Sequence, residues 1–234
     1  VRRVMDFVDI DSDKWRQYAA RRRGLAAWLY RREARYLFAY ERKVATQCEA
    51  NVFVSPAEAQ LFRTWAPESA ARVLAIANGV DLDYFSPDFQ AASPYPQHSR
   101  VLVFTGAMDY WANIYAVVWF AREIFPHVRA CLPTARFVIV GARPPSEVIK
   151  LQEITGVEVT GAVPDVRPYL AHATAAVAPL RIARGIQNKV LEAMAMGKPV
   201  IATPAAAEGI GAVAGEEILV ASEVQAYVEA AVRV

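Results

Sequence analysis

The sequence predicts an α/β protein built on a parallel sheet, and three observations support that prediction. Short apolar runs without polar alternation recur in the second half of the chain, as expected of strands covered on both faces. Segments with apolar residues at helical spacing separate these runs. Gly106, Gly141 and Gly161 each come just after one of the runs. Six strands separated by helices indicate a doubly wound parallel sheet.

The first 85 residues mix strand and helix patterns. Residues 14–46 contain no Pro and carry apolar residues near helical spacing, which predicts helix. Ser55 followed by Pro56, with Glu58 three residues after Ser55, is a typical helix start. The predicted strands of this part are 4–10, 51–54 and 73–77.

Residues 86–99 have the composition of a linker, because three Pro residues stand among polar residues without periodicity. After them, strands and helices alternate. The predicted strands are 101–105, 136–140, 157–160, 175–178, 199–202 and 217–220, and the predicted helices are 113–125, 145–154, 165–173, 188–196 and 222–233. The chain is therefore predicted to comprise a first α/β segment at 1–85, a linker at 86–99 and a sheet domain at 100–234.

Composition narrows the class of protein. The 234 residues are 55% hydrophobic, which suffices for one large or two small domains, and no run of about 18 apolar residues could span a membrane. Cys48 and Cys131 lie far apart without metal-binding spacing, which favours a reducing cytoplasm. His98, His127 and His172 are isolated from one another, so each is interpreted as structural or surface-exposed.

The segment 181–203 is the most informative part of the sequence for function. It predicts a loop, a helix capped by Asn188, a helix end at Gly197 and a buried strand. Backbone donors, the positive end of a helix and nearby cations together favour a phosphate group. The residues expected around it are Arg184, Gly185, Gln187, Asn188 and Lys189.

Glu192 adds a second feature to this helix. It lies three residues after Lys189, so the two side chains share a helix face. A carboxylate repels phosphate but can hold the hydroxyl groups of a sugar, so the pair suggests a nucleotide-sugar site. The alternative is an ordinary crossover in which Lys189 and Glu192 form a surface ion pair, and spacing alone does not separate the two.

Glycines mark the expected edge of a cleft. In open parallel sheets the ligand lies outside the carboxyl ends of the strands, where small residues let it approach the backbone. Gly106, Gly141 and Gly161 stand at such ends, and Gly185 lies in the loop of the segment above. The alternative for each is that it only makes a tight turn.

The end of segment 181–203 resembles the donor-binding motif of the group 1 glycosyltransferases. Their pattern is Glu, seven residues, Glu, and then Ala-Met-Ala-x-Gly-x-Pro-Val-Ile-Ala. Glu192 matches the second Glu, whereas Arg184 stands where the first is expected. The sequence of residues 185–192, Gly-Ile-Gln-Asn-Lys-Val-Leu-Glu, is similar to that of sugar transferases associated with bacterial exopolysaccharide and PEP-CTERM systems.

The resemblance implies a retaining enzyme of the GT-B architecture, with a Rossmann-like donor domain at 100–234 and a remnant of the N-terminal acceptor-side domain at 1–85. Since the chain begins without Met and stops within a helical pattern, we expect a fragment that lacks most of the N-terminal domain. The implied reaction moves a hexose-type sugar from a nucleoside diphosphate to an acceptor in polysaccharide biosynthesis. The resemblance also implies that no metal and no cofactor besides the nucleotide-sugar substrate is needed.

Motif and resemblance together give the expected donor site. Arg143 is expected to contact base or phosphate, the alternative being a solvated loop position. Val163 matches the position from which related enzymes read the base through main-chain groups. No catalytic residue is assigned. The expected donor-binding residues are Gly106, Arg143, Val163, Arg184, Gly185, Gln187, Asn188, Lys189 and Glu192.

Neighbouring polar residues receive more ordinary interpretations. Asp109, Asn113 and Asp165 lie near predicted helix starts, so they are interpreted as helix caps. Arg181 is expected to assist Lys189 in neutralising the phosphates.

Charge is distributed unevenly along the chain. Residues 1–47 carry twelve basic and six acidic side chains, whereas the whole chain has a net charge of +2. In 14–43 the cations alternate with aromatic residues, and amphipathic helices of this composition lie on anionic membranes. We therefore expect a cytoplasmic protein in peripheral contact with the inner membrane face through 14–43, near a lipid-linked or polysaccharide acceptor. The alternative is that the cations are scattered around packed helices.

Two other functions are considered. Arg184 in place of Glu favours a nucleotide-sugar binding module without catalysis. The clusters 21–23 and 31–32 lie among aromatic residues and would suit a basic nucleic-acid-binding protein, but no nucleic-acid motif accompanies them. No nucleic-acid partner is expected.

Overall fold

The computed structural model describes residues 2–20, 22–183 and 185–234. Within these residues the chain forms two compact units. The first comprises 2–78 together with 185–186, and the second comprises 79–183 and 187–234. In the described part of the chain, no helix is both long and apolar enough to cross a membrane.

The first unit is a three-stranded parallel sheet with helices. Its core is aromatic: the ring of Phe7 stacks on Phe53 at 5.3 Å, and the Phe53 and Phe62 centroids lie 4.8 Å apart. The strand order is β1-β2-β3. The strands are β1 (Val4–Val8), β2 (Ala50–Phe53) and β3 (Val73–Ala75), and the helices are α1 (Asp11–Ala20), α2 (Gly24–Gln47) and α3 (Pro56–Trp65), followed by a 3-10 turn at Pro67–Arg72.

The helical segment predicted at 14–46 is two helices rather than one. Gly24 adopts a φ of +65°, a left-handed conformation that breaks the helix and that Gly accepts without steric cost. The Glu41 carboxylate of α2 then ties α1 in place by accepting from the Ser12 amide at 3.0 Å and from the Ser12 hydroxyl at 2.6 Å. At α3 the predicted cap is confirmed, since the Ser55 hydroxyl accepts from the Glu58 amide at 3.1 Å.

The second unit contains the predicted doubly wound sheet. All six strands are parallel, in the order β6-β5-β4-β7-β8-β9. The chain runs outward from β4 to β6 and returns beside β4 with β7, so the strand order reverses between β4 and β7. The strands are β4 (Arg100–Thr105), β5 (Ala135–Val140), β6 (Val157–Gly161), β7 (Ala175–Ala178), β8 (Val200–Ala202) and β9 (Leu219–Val220).

The helices of this unit depart from prediction at two places, one of which is a short helix at Pro204–Ala207 that was not predicted. The helix expected to stop at residue 125 continues to Cys131, because a π-helical stretch at Phe120–Ile124 accommodates Pro126, which cannot donate a backbone hydrogen bond. The helices are α4 (Trp111–Trp119), α5 (Phe125–Cys131), α6 (Ser146–Ile149) with a 3-10 turn at Lys150–Glu153, α7 (Arg167–Ala171), α8 (Asn188–Ala195), α9 (Pro204–Ala207) and α10 (Val224–Arg233).

Residues 86–99 contain neither helix nor strand. Phe89 and Tyr95 nevertheless pack against the core of the second unit, and the Tyr95 hydroxyl donates to the Tyr169 carbonyl at 2.7 Å. The division into 1–85, 86–99 and 100–234 stays a prediction about domains.

Candidate functional site

The candidate site lies in the second unit, at the carboxyl ends of its central strands. Gly106 follows β4, Gly141 follows β5 and Gly161 ends β6. Their backbones are closely joined: the Gly106 amide donates to the Val140 carbonyl at 3.0 Å and the Gly141 amide to the Gly161 carbonyl at 3.1 Å. A Cβ on Gly141 would collide with the Gly106 carbonyl. These glycines allow three turns to lie against one another at this edge of the sheet.

Lys189, in the first turn of α8, reaches this edge. Its Nζ donates to Asn113 Oδ1 at 2.7 Å and lies 4.2 Å from the centroid of the Phe104 ring. A Cβ on Gly106 would come within 2.9 Å of the Lys189 amino group. The side chain of Asn113 is itself fixed, because its Nδ2 donates to the Ala107 carbonyl at 2.9 Å. The amino group is thus held over the turn that follows β4.

The surroundings of this lysine weaken its charge. Burial lowers the pKa of Lys189 to about 7, and the negative charge of Glu192 opposes that shift. Burial likewise raises the pKa of Glu192, and Lys189 opposes it. No ion pair within 4.0 Å joins the two side chains in the described residues. A surface Lys189–Glu192 pair therefore does not explain the motif, because the amino group points to Asn113 instead.

Two of the expected helix caps prove wrong. Helix α4 begins at Trp111 with Tyr110 as the N-cap residue and no side-chain cap hydrogen bond. Asp109 instead forms an ion pair with Arg143, with 2.7 Å between Asp109 Oδ2 and Arg143 Nη2. Asn113, the other expected cap, lies within α4 and holds Lys189. Sequence reasoning missed Asn113 as a site residue, because nothing in the spacing connects it to a lysine 76 residues away.

The expected cap of α8 is also displaced by one position. The helix begins at Asn188, and Gln187 is the N-cap residue without a side-chain cap hydrogen bond. The Gln187 carbonyl accepts from the Val190 amide at 2.8 Å, so the first turn closes through the backbone. Both residues lie directly before Lys189, at the positive end of α8.

Arg143 and Val163 lie in the turns after β5 and β6. Arg143 adopts a φ of +56°, which is unusual for a residue other than Gly, and its guanidinium is exposed beside Asp109. An exposed pair of this kind contributes little to stability, so the guanidinium can exchange partners at small cost. Val163 packs partly against the core, and its backbone belongs to the turn that follows β6.

Asp165 stabilises its own turn rather than contacting the site. Its Oδ1 accepts from the Arg167 amide at 2.9 Å, and the Arg167 guanidinium holds both carboxylate oxygens. This pairing lowers the pKa of Asp165. The predicted N-cap role of Asp165 is wrong, because the N-cap residue of α7 is Val166 and no side-chain cap hydrogen bond is formed.

The loop before α8 contributes less than expected within the described residues. Arg184 lies outside them, and Gly185 groups with the first unit. The Arg181 guanidinium stacks 5.1 Å from the Trp119 ring centroid and donates to the Tyr115 hydroxyl at 3.2 Å, so it is held on α4. The structure therefore brings together Gly106 and Lys189 directly, with Glu192 on the same helix and Arg143 and Val163 in adjacent turns.

The fold is that of GT-B glycosyltransferases, and three solved structures share it. Sucrose-phosphate synthase from Thermosynechococcus elongatus matches with a TM-score of 0.73 and 19% identity, over 98% of this chain and 57% of that chain. Anabaena HepE in complex with UDP and glucose matches at 0.69 and 15%, over 97% and 59%. WaaG, a glycosyltransferase involved in lipopolysaccharide biosynthesis, matches at 0.69 and 16%, over 98% and 65%. The chain thus spans less than two thirds of each.

Residues 99–234 match the family described as Glycosyl transferases group 1. The chain belongs to this family, as the resemblance in segment 181–203 implied. No curated protein shows significant sequence similarity to the chain.

Proposed function

We propose that the second unit binds the donor of a glycosyltransferase that moves a sugar from a nucleoside diphosphate to an acceptor. The observation that carries the proposal is the Lys189 amino group, half-buried over the glycine turn after β4 and at the start of α8. A diphosphate at this position would meet a cation, the amide groups of a helix start and a backbone without side chains.

Lys189 then stabilises the departing diphosphate, which gains negative charge as the bond to the sugar breaks. Because burial lowers the pKa of Lys189 to about 7, Lys189 takes up a proton when the diphosphate arrives, since an adjacent anion favours the charged form. Glu192, three residues along α8, accepts from a ribose hydroxyl. Gln187 and Asn188 contribute main-chain donors.

The base end of the donor is assigned to the other two turns. Main-chain groups at Val163 read the base, and Arg143 contacts base or phosphate after leaving Asp109. Anabaena HepE has been solved in complex with UDP and glucose and in complex with UDP-glucose, so UDP-sugars are the first donors to test here. Transfer with retention, a hexose as the sugar and independence from metal and other cofactors complete the proposed reaction.

The proposed acceptor is a polysaccharide or a lipid-linked sugar of exopolysaccharide biosynthesis, such as serves PEP-CTERM systems. The protein would act in the cytoplasm, in peripheral contact with the anionic inner face of the membrane through 14–43. No nucleic-acid partner is part of the proposal.

One observation favours a second candidate function. Arg184 stands at the position of the first motif Glu, which implies that the sugar is held differently or not at all. A nucleotide-sugar binding module without catalysis would tolerate that change.

The test is a calorimetric titration of the chain with UDP-, GDP-, ADP- and TDP-glucose, each beside its free nucleoside. We expect one diphosphate sugar to bind more tightly than its nucleoside. If each donor binds with the same affinity as its nucleoside, the proposed diphosphate site is contradicted. Turnover of the bound donor in the full-length protein separates the transferase from the binding module.

A further inference from the structure

We propose that the outward face of α2 docks onto an anionic phospholipid membrane. This face, here called the α2 outer face, consists of Leu25, Trp28, Leu29, Arg32, Tyr36, Tyr40 and Lys43. The inference rests on the proposed contact through 14–43 and narrows that contact to one side of one helix.

Large apolar side chains on this face are about half or more exposed. Residues three and four apart share a side of a helix, and these positions lie opposite the buried side of α2, which carries Ala27, Glu41 and Ala45. Such a contiguous exposed patch marks an interaction surface. The exposed fractions are 80% for Leu25, 58% for Trp28, 47% for Leu29, 56% for Tyr36 and 64% for Tyr40.

Positive charge surrounds this apolar stripe. None of its flanking cations forms an ion pair with the described part of the chain. Of the two acids of α2, Glu33 is exposed, whereas Glu41 is buried against Ser12. The exposed cations on and beside the face are Arg22, Arg23, Arg31, Arg32, Arg35 and Lys43.

The cations of helix α1 do form ion pairs within the protein, so the proposed membrane contact is limited to α2. The Lys14 amino group lies 3.0 Å from Asp9 and 2.9 Å from Asp11. Arg16 pairs with Asp13 at 2.8 Å. The cations of α1 are therefore neutralised within the protein.

An anionic membrane fits this face better than another macromolecule. Tryptophan and tyrosine beside Arg and Lys are the residues that settle at the level of lipid headgroups. A second copy of the chain would bring two positive faces together, which is unfavourable. A nucleic acid would leave Leu25 and Leu29 without an apolar partner.

The test is co-sedimentation of the chain with vesicles of phosphatidylcholine and phosphatidylglycerol in equal parts, beside vesicles of phosphatidylcholine alone. We expect binding only to the anionic vesicles, with release by salt. Arg32→Glu combined with Lys43→Glu should lower the partition at least about 25-fold, because each cation near such a surface contributes about fivefold. Leu25→Ser combined with Leu29→Ser should lower it about tenfold.

The matched control is Arg122→Glu combined with Arg233→Glu, which changes net charge equally at exposed positions of the second unit. Equal losses in this pair and in the α2 pair would overturn the proposal, as would a chain that stays in the supernatant at low salt. A dimer that Leu25→Ser and Leu29→Ser abolish would assign the face to a second copy and overturn it as well. UDP binding measured on the same variants reports on the donor site separately.

Discussion

The two units of the chain place their charged groups in opposite ways. In the first unit, carboxylates are buried as structural anchors, as Glu41 and Glu58 accept from the amides of Ser12 and Ile10, and aromatic residues are left exposed on α2. In the second unit the core is apolar, and a half-buried lysine stands at the ends of the strands. The second unit thus holds a cation at the ends of its strands, where we propose that the donor binds, whereas the first unit exposes apolar and basic side chains on α2.

The largest effect is expected where the glycine turns touch. Gly141→Ala would drive a Cβ into the Gly106 carbonyl, and overpacking against backbone should cost about 3 kcal/mol of unfolding free energy. Urea denaturation measures this cost. Gly79→Ala is the control, since a Cβ there meets nothing within 4 Å. Equal stability of the two variants would mean that the turns can separate.

The corresponding change in the first unit is Glu41→Ala. It leaves the amide and hydroxyl of Ser12 without their acceptor, which should cost about 2–3 kcal/mol. Hydrogen exchange should rise in α1 and α2 and stay unchanged in the strands of the second unit. Glu33→Ala, at an exposed position of the same helix, should have no effect. An equal loss of protection from hydrogen exchange in both units would contradict a stabilising role of Glu41 that is confined to the first unit.

Lys189→Met should stabilise the second unit at neutral pH by about 2 kcal/mol, because it removes a charge that burial disfavours. The pKa of this lysine falls from an ordinary 10.5 to about 7 on folding. Below pH 7 both states are protonated and the cost of the charge is constant. Between pH 7 and 10.5 only the unfolded state binds the proton, so wild-type stability rises with pH and the advantage of the variant shrinks. Thermal denaturation from pH 6 to 10 measures the difference in stability between the variant and wild type. A difference that stays constant across this range would contradict the lowered pKa of Lys189.

Glu192→Gln is expected to change nucleotide binding by the second unit rather than its stability. If its carboxylate accepts from the ribose, the preference for UDP over 2′-deoxy-UDP should fall by about 1.5 kcal/mol in the variant. Calorimetry with both nucleotides gives this difference. A preference that stays unchanged in a folded variant would remove Glu192 from hydroxyl recognition.

Most of the fold of the second unit could be predicted from sequence, since most of its strands are buried apolar runs and three of them end at a glycine. The first unit was harder, because helical spacing continues across Gly24 and gives no warning that α1 and α2 are separate. The π-helical stretch before Pro126 was not predicted, because Pro ordinarily marks the end of a helix. Here the helix continues past Pro126 to Cys131.

At the site, Lys189 and Glu192 were predictable because they follow a local motif. Asn113 was not, because its role depends on β4 and β7 lying side by side, which places its turn beside the start of α8. Its amide suits a helix cap equally well in sequence. For α2, the sequence showed only that 14–43 is rich in cations and aromatic residues. It did not show which side of the helix is exposed, since spacing alone does not reveal which side is covered.

The most direct test of the central claim compares UDP with uridine in wild type, in Lys189→Ala and in the control Lys150→Ala, an exposed lysine of the same unit. Lys189→Ala should weaken UDP binding by about 1.5–3 kcal/mol and leave uridine nearly unchanged, since only the diphosphate meets the amino group. Lys150→Ala should change neither. Equal losses for UDP and uridine in Lys189→Ala would contradict the account and place Lys189 outside the phosphate site.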